Sequence, residues 1–203
     1  MDKKFDRRVE LVGRDRIHDG FVKLDKIMIR HSRFDGTMSK PLEREVIIRR
    51  PAAAVLPYDP LRDRIILIEQ FRPAPYLVEG PSWMIELVAG LIDPGESPEQ
   101  TVRREALEEA GLTIGRLARI GAFYSSQGAC TEKVTCFCGE VDSTRAEGLF
   151  GAKNEDEDIR AYSVPADRFV DEALSGKLDN ATALVCGLWF AAMRARGSGI
   201  WTA

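Results

Sequence analysis

"REALEEAGL", from Arg104 to Leu112, places three glutamates within five positions of one short predicted helix. Like charges at this spacing repel each other, by about a few tenths of a kcal/mol on an exposed helix and by more where solvent is excluded. A divalent cation bound among the carboxylates would remove the repulsion. The alternative is a solvated surface helix, which such a charge pattern by itself more often indicates.

The residues around this stretch predict where the helix begins and ends. Ser97 is a favourable N-cap, Pro98 suits the first helical position, and Gln100 completes a capping box. Gly111 ends the helix, because glycine readily adopts the left-handed conformation of a C-terminal cap. At about 100° per residue, four side chains fall on one apolar arc: Val102, Ala106, Leu107 and Ala110. The three glutamates fall on the opposite arc, where Glu109 borders the apolar stripe.

The approach to the helix favours a metal site over a solvated surface. "GLIDPGESPEQTV", from Gly90 to Val102, is a loop rich in glycine and proline, and it contributes a further carboxylate, Glu96. A loop folded over the start of a helix can bring backbone carbonyls and this carboxylate toward the helical glutamates. Hard oxygen ligands without sulfur or imidazole favour Mg²⁺ or Mn²⁺.

Apolar runs on both sides of the helix predict the rest of the fold. "AAAVLPYD", "RIILIEQF" and "SWMIELVAG" precede it, and "RLARIGAFY" and "EKVTCFCGEV" follow it, all typical of buried strands. Two helices, "PADRFVDEALSGK" and "NATALVCGLWFAAMRAR", come last. Strands around one internal helix, with helices at the end, indicate an α/β or α+β sandwich. Residues 8 to 50 are β-rich and predict a small antiparallel sheet that must pack on its own core or on a partner chain.

From Gly90 to Leu112 the order of glycine, glutamate and arginine residues resembles a complete Nudix box. The resemblance implies an α/β fold, the Nudix α/β/α sandwich, in which a loop-helix-loop binds catalytic Mg²⁺. It implies four metal ligands, three carboxylates and one backbone carbonyl: Glu105, Glu108, Glu109 and Ala89. Glu96 and Arg104 match the orienting ion pair of the family, and Gly90 and Gly111 are its structural glycines.

Outside the box the chain is most similar to the ADP-ribose pyrophosphatases. The segments that carry this likeness are "GFVKL", "REV", "LIEQFRPAPY", "ELVAG" and "GKLDNA". The resemblance implies a homodimer in which an N-terminal sheet is exchanged between subunits. We therefore expect residues 1–50 to form an N-terminal β-sheet appendage and residues 51–203 to form the hydrolase domain.

Three side chains match positions that bind substrate in that subfamily. By position Phe21 stacks on the adenine, and Arg44 and Arg72 hold the pyrophosphate or ribose. Each has an alternative: Phe21 as a core residue of its strand, Arg44 as an exposed strand arginine, and Arg72 as a solvated turn residue. Arg72 precedes two prolines in "QFRPAPY", which would fix its direction, and guanidinium suits phosphate oxygens.

The acidic loop "NEDEDIR" supplies candidates for the general base. Hydrolysis of a pyrophosphate needs an activated water in line with one phosphorus. The resemblance assigns the base to the position of Glu155, with Glu157 close enough to compete and Glu108 as a further catalytic carboxylate. The alternative for this loop is a solvated run of charges.

One departure from the subfamily bears on the substrate. Where Ser-Pro-Gly-Gly is usual and its proline marks specificity for ADP-ribose, this chain has "SSQGACTE", with Gln127 at the position of the proline. Gly128 still allows a ligand to approach the backbone closely. Glu132 matches a family glutamate and is expected to bind metal or water.

Composition excludes several other classes of protein. A formal charge of −3 gives no electrostatic footprint for nucleic acid or an anionic membrane. The longest apolar run, "ATALVCGLWFAAM", is too short to span a bilayer, and the first residues lack the apolar core of a secretory signal. Four cysteines without zinc-site or C-x-x-C spacing predict reduced thiols in a cytoplasmic protein.

Together these patterns predict an enzyme that uses Mg²⁺, or Mn²⁺ in its place, to hydrolyse ADP-ribose to AMP and ribose 5-phosphate. A pyrophosphatase for another nucleoside diphosphate sugar, such as GDP-mannose, is the nearest alternative, and the departure at Gln127 supports it. A ligand-binding module without catalysis would be expected to have lost box carboxylates. A hydrolase of RNA caps or mononucleotides fits less well, because the chain has no basic excess and has the N-terminal β region.

Overall fold

The computed structural model of the protein describes residues 7–151, 157–197 and 199–201. They form two compact units. The first unit comprises residues 7–50 and Tyr124–Glu132, and the second comprises Pro51–Phe123 and the described residues from Lys133 onwards. Across these described ranges, no helix has both the length and the apolar character needed to cross a bilayer.

The first unit is a three-stranded antiparallel sheet. Its strands, in the spatial order β1-β2-β3, are β1 (Val9–Asp19), β2 (Lys23–His31) and β3 (Leu42–Ile48). The central strand buries Asp25, whose carboxylate accepts hydrogen bonds from Arg14 and Arg16 of β1. Residues 124–132 run beside β3, where the Ile47 N–H donates to the Ala129 carbonyl over 2.7 Å. All eleven residues of β1 are exposed in this unit.

The second unit contains a mixed sheet and four α-helices, counted over its described residues. The strands are β4 (Ala52–Asp59), β5 (Arg64–Phe71), β6 (Trp83–Glu86), β7 (Val88–Leu91), β8 (Leu117–Tyr124), β9 (Lys133–Glu140), β10 (Gly148–Phe150) and β11 (Ile159–Pro165). The helices are α1 (Pro73–Tyr76), α2 (Pro98–Ala110), α3 (Ala166–Leu174) and α4 (Ala181–Ala195), with a 3₁₀ turn at Ser143–Arg145. The strand order is β10-β11-β5-β4-β9-β8, with β6 paired to β5 and β7 paired to β4.

The alternation of side chains along β5 explains the layers of the second unit. Successive residues of a strand point to opposite faces of the sheet. Ile66 and Ile68 pack in one core with the apolar residues of α2, whereas Ile65 and Leu67 pack in a second core with α3 and α4. Helices therefore cover both faces of the sheet, and the expected α/β/α sandwich with an N-terminal antiparallel sheet is confirmed.

Some strands begin and end where the sequence predicts, whereas others could not be predicted from it. β4 and β5 begin and end at the first and last residues of "AAAVLPYD" and "RIILIEQF". β11 is not predicted from the sequence, because "IRAYSVP" has neither an unbroken apolar run nor a strict alternation. Its pairing along the whole of β5, from Ile159↔Gln70 to Pro165↔Arg64, makes it a strand.

Candidate active site

The loop and helix that carry the carboxylates are held by local capping interactions. The Ser97 side chain accepts a hydrogen bond from the Gln100 N–H over 3.2 Å, and the Gln100 side chain accepts one from the Ser97 N–H over 2.8 Å. Pro98 occupies the first turn, and Gly111 adopts the left-handed conformation with φ of 63°. The predicted capping box and glycine cap are therefore present, and they determine where α2 begins and ends.

The packing of α2 on the sheet decides which of its side chains are buried. Val102, Ala106 and Ala110 are fully buried, as the apolar arc predicts. The prediction for Leu107 is wrong, since 61% of this residue is exposed. The contact with the sheet is centred between Val102 and Ala106, and Leu107 lies about 100° from Ala106 on the outer side.

Glu109 lies inside this contact. It is only 4% exposed, and its carboxylate accepts a hydrogen bond from the Ala89 N–H of β7 over 3.1 Å. Burial is the main reason why the pKa of Glu109 rises to about 8. The hydrogen bond from Ala89 and the charge of Arg72 lower this pKa, whereas the charges of Glu105 and Glu157 raise it. Burial without a paired cation is costly for a carboxylate, so this position is suited to a cation brought from solution.

Glu105 faces the glycine at the start of the loop. A Cβ atom at Gly90 would lie 1.7 Å from Glu105 Oε1 and 2.7 Å from its Cγ. The glycine is therefore required because the carboxylate occupies the space of a side chain. Burial raises the pKa of Glu105, and the adjacent Arg104 opposes this by favouring the charged form.

Arg104 connects three of the carboxylates. Its guanidinium is bound to Glu96 through Nε and Nη2, at 3.1 Å each, and through Nη1 to Glu105 at 2.7 Å and Glu108 at 2.9 Å. Glu96 also accepts a hydrogen bond from the Thr101 hydroxyl over 2.8 Å. Arg104 is the main reason why the pKa of Glu96 falls to about 2. The pair Glu96–Arg104 that the sequence predicts is thus present, with two more carboxylates on the same arginine.

These hydrogen bonds determine how the carboxylates are arranged. Among the described residues, no three carboxylate, imidazole or thiol groups stand together as a ready cation cage. Arg104 holds the charges of Glu105 and Glu108, and the Ala89 N–H holds one oxygen of Glu109. A protein cation therefore neutralises part of the cluster in this structure.

The two ends of the acidic loop, Gly151 and Glu157, lie together near the end of α2. Gly151, with φ of 114°, packs so closely on Glu157 that a Cβ atom there would lie 2.6 Å from the Glu157 carbonyl oxygen. The Gly151 N–H also donates to the Glu108 carbonyl over 3.3 Å, at the end of α2. The charge of Glu157 raises the pKa of both Glu105 and Glu109, so Glu157 lies beside the cluster. The predicted base Glu155 lies outside the described residues.

Arg72 also faces the cluster and is not a freely solvated turn residue. Its Nε and Nη2 donate to the two carboxylate oxygens of Glu86 over 3.0 and 2.8 Å. Gln70, two residues before Arg72, lies on the same face of β5. Its buried side-chain Nε2 has no hydrogen-bond partner among the described residues. The sequence did not single out Glu86 or Gln70. The signal in the sequence was a polar residue within or at the end of an apolar run: Glu86 interrupts "SWMIELVAG", and Gln70 lies near the end of "RIILIEQF".

The other expected substrate residues lie in the first unit. Phe21, in the turn between β1 and β2, is 96% exposed, so the alternative that it is a core residue is wrong. Arg44 is an exposed residue of β3 whose Nη1 donates to the Glu43 carbonyl over 2.6 Å. Gly128 is exposed, and a side chain there would meet no other atom within 4 Å. Glu132 forms an ion pair with Arg49 at 3.1 Å.

Comparison with known proteins agrees with this architecture. The NUDIX domain family matches residues 48–184 of the chain. The chain is 41% identical to the ADP-ribose pyrophosphatase of Escherichia coli strain K12, over 89% of the chain and 87% of that protein. It is 34% identical to the GDP-mannose pyrophosphatase of Salmonella arizonae, over 88% and 93% of the two chains.

A solved structure described as an ADP compounds hydrolase superposes with a TM-score of 0.71 and 18% sequence identity, over 95% of this chain and 97% of that one. At that identity the superposition supports the fold alone, whereas the family match and the relatives extend over most of the sequence. With its capped helix, its buried glutamates and these matches, the chain belongs to the NUDIX family of hydrolases.

Proposed function

We propose that the protein is a divalent-metal-dependent pyrophosphatase that hydrolyses ADP-ribose to AMP and ribose 5-phosphate. The observation that carries the proposal is the carboxylate of Glu109, which lies one helical turn from Glu105 and is buried with no cationic side chain hydrogen-bonded to it among the described residues. It is joined by the 41% identity to an ADP-ribose pyrophosphatase over most of both chains.

The chemistry of the carboxylates suits Mg²⁺, with Mn²⁺ as an alternative. All the side-chain donors are oxygens, and Glu109 is buried with no cationic side chain hydrogen-bonded to it among the described residues. We propose that Glu105, Glu108, Glu109 and the Ala89 carbonyl hold the ion. When bound, such an ion neutralises charge on phosphate oxygens and lowers the pKa of a coordinated water.

The remaining residues of the box prepare these ligands. Gly90 leaves space for the Glu105 carboxylate, and the capping box and Gly111 set the two ends of α2. Arg104 and Glu96 tie the loop to the helix, so that the ligands keep their relative positions. Arg104 also neutralises Glu105 and Glu108 before an ion binds, which lowers the cost of gathering the carboxylates.

We propose that the acidic loop provides the general base, which takes the proton of the attacking water. Glu155 and Glu157 are the two candidates, and the position of Glu157 beside Glu105 and Glu109 supports a role for this loop in the reaction. Turnover of Glu155→Gln and Glu157→Gln at saturating metal distinguishes them, because the base is the residue whose loss costs more. Equal and small losses in both variants would contradict the assignment to this loop.

We also propose residues that bind the substrate. Arg72 is suited to the diphosphate, because some of its N–H groups have no hydrogen-bond partner among the described residues and its charge interacts with the nearby carboxylates. An exposed aromatic ring such as Phe21 is suited to stack on adenine. We assign Arg44 to the pyrophosphate or ribose, Gly128 to close backbone contact with the ligand, and Glu132 to metal or water.

We further propose a homodimer in the cytoplasm. The complete exposure of β1, which includes apolar Val9, Leu11 and Ile17, supports a partner chain that covers the first unit. Four free thiols in the described residues support a reducing compartment. Sedimentation equilibrium tests the dimer, and a monomer at all concentrations would contradict it.

One experiment tests the substrate assignment most directly. The purified protein is incubated with Mg²⁺ and, separately, ADP-ribose, GDP-mannose and other nucleoside diphosphate sugars, and the nucleoside monophosphate is quantified. We expect the highest kcat/KM with ADP-ribose. Preference for GDP-mannose would support the alternative that Gln127 and the similarity to GDP-mannose pyrophosphatases suggest. No turnover of any substrate would support a binding module, against which the retained box carboxylates argue.

A further inference from the structure

Arg72 and Glu86 form a two-point contact at the edge of the candidate site. Arg72 Nε donates to Glu86 Oε1 over 3.0 Å, and Nη2 donates to Oε2 over 2.8 Å. The Glu86 side chain is 10% exposed, whereas that of Arg72 is 43% exposed. Two parallel hydrogen bonds to a carboxylate held in the protein fix both the position and the plane of the guanidinium.

Strand pairing brings the two residues together from fourteen positions apart in the chain. Glu86 is the last residue of β6 and pairs with Ile68 of β5. Arg72 follows the end of β5, where its N–H donates to the Ser82 carbonyl over 2.7 Å, and Pro73 comes next. The backbone on both sides of Arg72 is thus restrained, and its side chain lies on the face of β5 that packs against α2.

The contact with Glu86 occupies only one edge of the guanidinium. Nε and one N–H of Nη2 are used, and no partner for Nη1 exists among the described residues. The outer edge, Nη1 and the second N–H of Nη2, has the geometry that matches two oxygens of a phosphate. The Arg72 side chain is 43% exposed, so a ligand in solution has access to it.

The charge of Arg72 also interacts with the carboxylates of the candidate site. The charges of Glu109 and Glu157 add to that of Glu86 in raising the pKa of Arg72, and Arg72 in turn lowers the pKa of Glu109. Arg72 therefore lies within interaction distance of both carboxylates.

We propose that Glu86 is a positioning residue, which holds Arg72 by its inner edge so that the outer edge binds one phosphate of the substrate's diphosphate. This inference rests on the proposed pyrophosphatase function. Without Glu86, Arg72 would keep its charge but lose its fixed direction, and the ordering of a long side chain would then be part of the cost of binding.

A double-mutant cycle tests the proposal by binding, independently of turnover. The wild-type protein, Glu86→Gln, Arg72→Ala and the double variant are titrated in Mg²⁺ with α,β-methylene ADP-ribose, whose bridge cannot be hydrolysed, and Kd is measured by calorimetry. We expect Arg72→Ala to weaken binding by roughly tenfold to a hundredfold, and Glu86→Gln by roughly tenfold. The double variant should bind no more weakly than Arg72→Ala, because Glu86 acts through Arg72.

Glu69→Gln is the matched control. Glu69 lies on the opposite face of β5 and forms an ion pair with Arg160 of β11 at 2.9 Å, so its loss also removes an ion pair between strands. We expect an unchanged Kd in this variant. If Glu86→Gln does not fold, Glu86→Asp replaces it, since aspartate keeps the charge but cannot reach both nitrogens.

The outcomes separate the two proposals. The positioning role is overturned if the losses of affinity in the two single variants multiply in the double variant. It is also overturned if the Glu86 variant binds the analogue as tightly as the wild type does. If the wild-type protein neither binds the analogue nor hydrolyses ADP-ribose, the proposed substrate is wrong. The same cycle, measured as KM with the sugar nucleotide that is hydrolysed, then decides the role of Glu86.

Discussion

Replacing Glu109 with glutamine should stabilise the metal-free protein at alkaline pH. The pKa of the buried carboxylate is about 8 in the folded protein, against 4.5 for an ordinary glutamate. Between these values the folded state holds a proton that the unfolded state releases, so the free energy of unfolding falls as the pH rises. At about 1.4 kcal/mol per pH unit, the loss is about 4 kcal/mol between pH 4.5 and pH 8. A glutamine at this position is neutral at every pH, so the variant does not lose this stability.

Thermal unfolding in EDTA, followed by tryptophan fluorescence, measures this difference. At about pH 5 the free energies of unfolding of the two proteins should differ by less than about 1 kcal/mol. Between about pH 5 and about pH 8 the free energy of unfolding of the variant should rise by about 3 kcal/mol relative to that of the wild type. For a chain of this size the gain corresponds to a rise in Tm of roughly 6–12 °C. Glu147→Gln, which changes an exposed glutamate of the same unit, should show no such pH dependence.

Two results would refute this reasoning. One is an equal change in Tm at both pH values, and the other is a variant that is less stable than the wild type at about pH 8.

With Mg²⁺ present the wild type should be more stable than Glu109→Gln, because an ion that binds the folded state stabilises only the protein that can hold it. The same substitution should reduce turnover by orders of magnitude. A variant that kept most of its activity would contradict the assignment of Glu109 as a metal ligand.

Three further substitutions test the site and the helix that carries it. Gly90→Ala should displace the Glu105 carboxylate and reduce turnover by roughly a hundredfold, while Gly121→Ala, at a position with open space, should leave it unchanged. Ser97→Ala should cost about 1 kcal/mol in a urea unfolding experiment, because it removes the N-cap of α2, and a loss near zero would mean that the cap contributes little. Phe21→Ala should raise KM for ADP-ribose by roughly tenfold without changing Tm, and an unchanged KM would exclude adenine stacking by this ring.

Features that depend on neighbouring residues in the chain were predictable from the sequence. The bounds of α2 follow from Ser97, Pro98 and Gly111, since each acts on the backbone within one turn of the helix. β4 and β5 follow from unbroken apolar runs, because a strand buried on both faces requires them. The spacing of glutamates that identifies the box is also a linear pattern. For these reasons the fold class and the family could be inferred before any contact was known.

Features that depend on pairing between distant segments needed the tertiary structure. Leu107 was misplaced because the helical period predicts an apolar arc but not how much of that arc the sheet covers. β11 became visible only through its pairing with β5.

The same distinction holds within the site. The sequence alone determined that carboxylates are gathered on one side of a capped helix, because spacing along a helix is a local property. Only the packed structure decided that Glu109 is almost fully buried and that Glu86 holds Arg72. Burial and two-point contacts depend on which strands meet in space, and no local pattern contains that information.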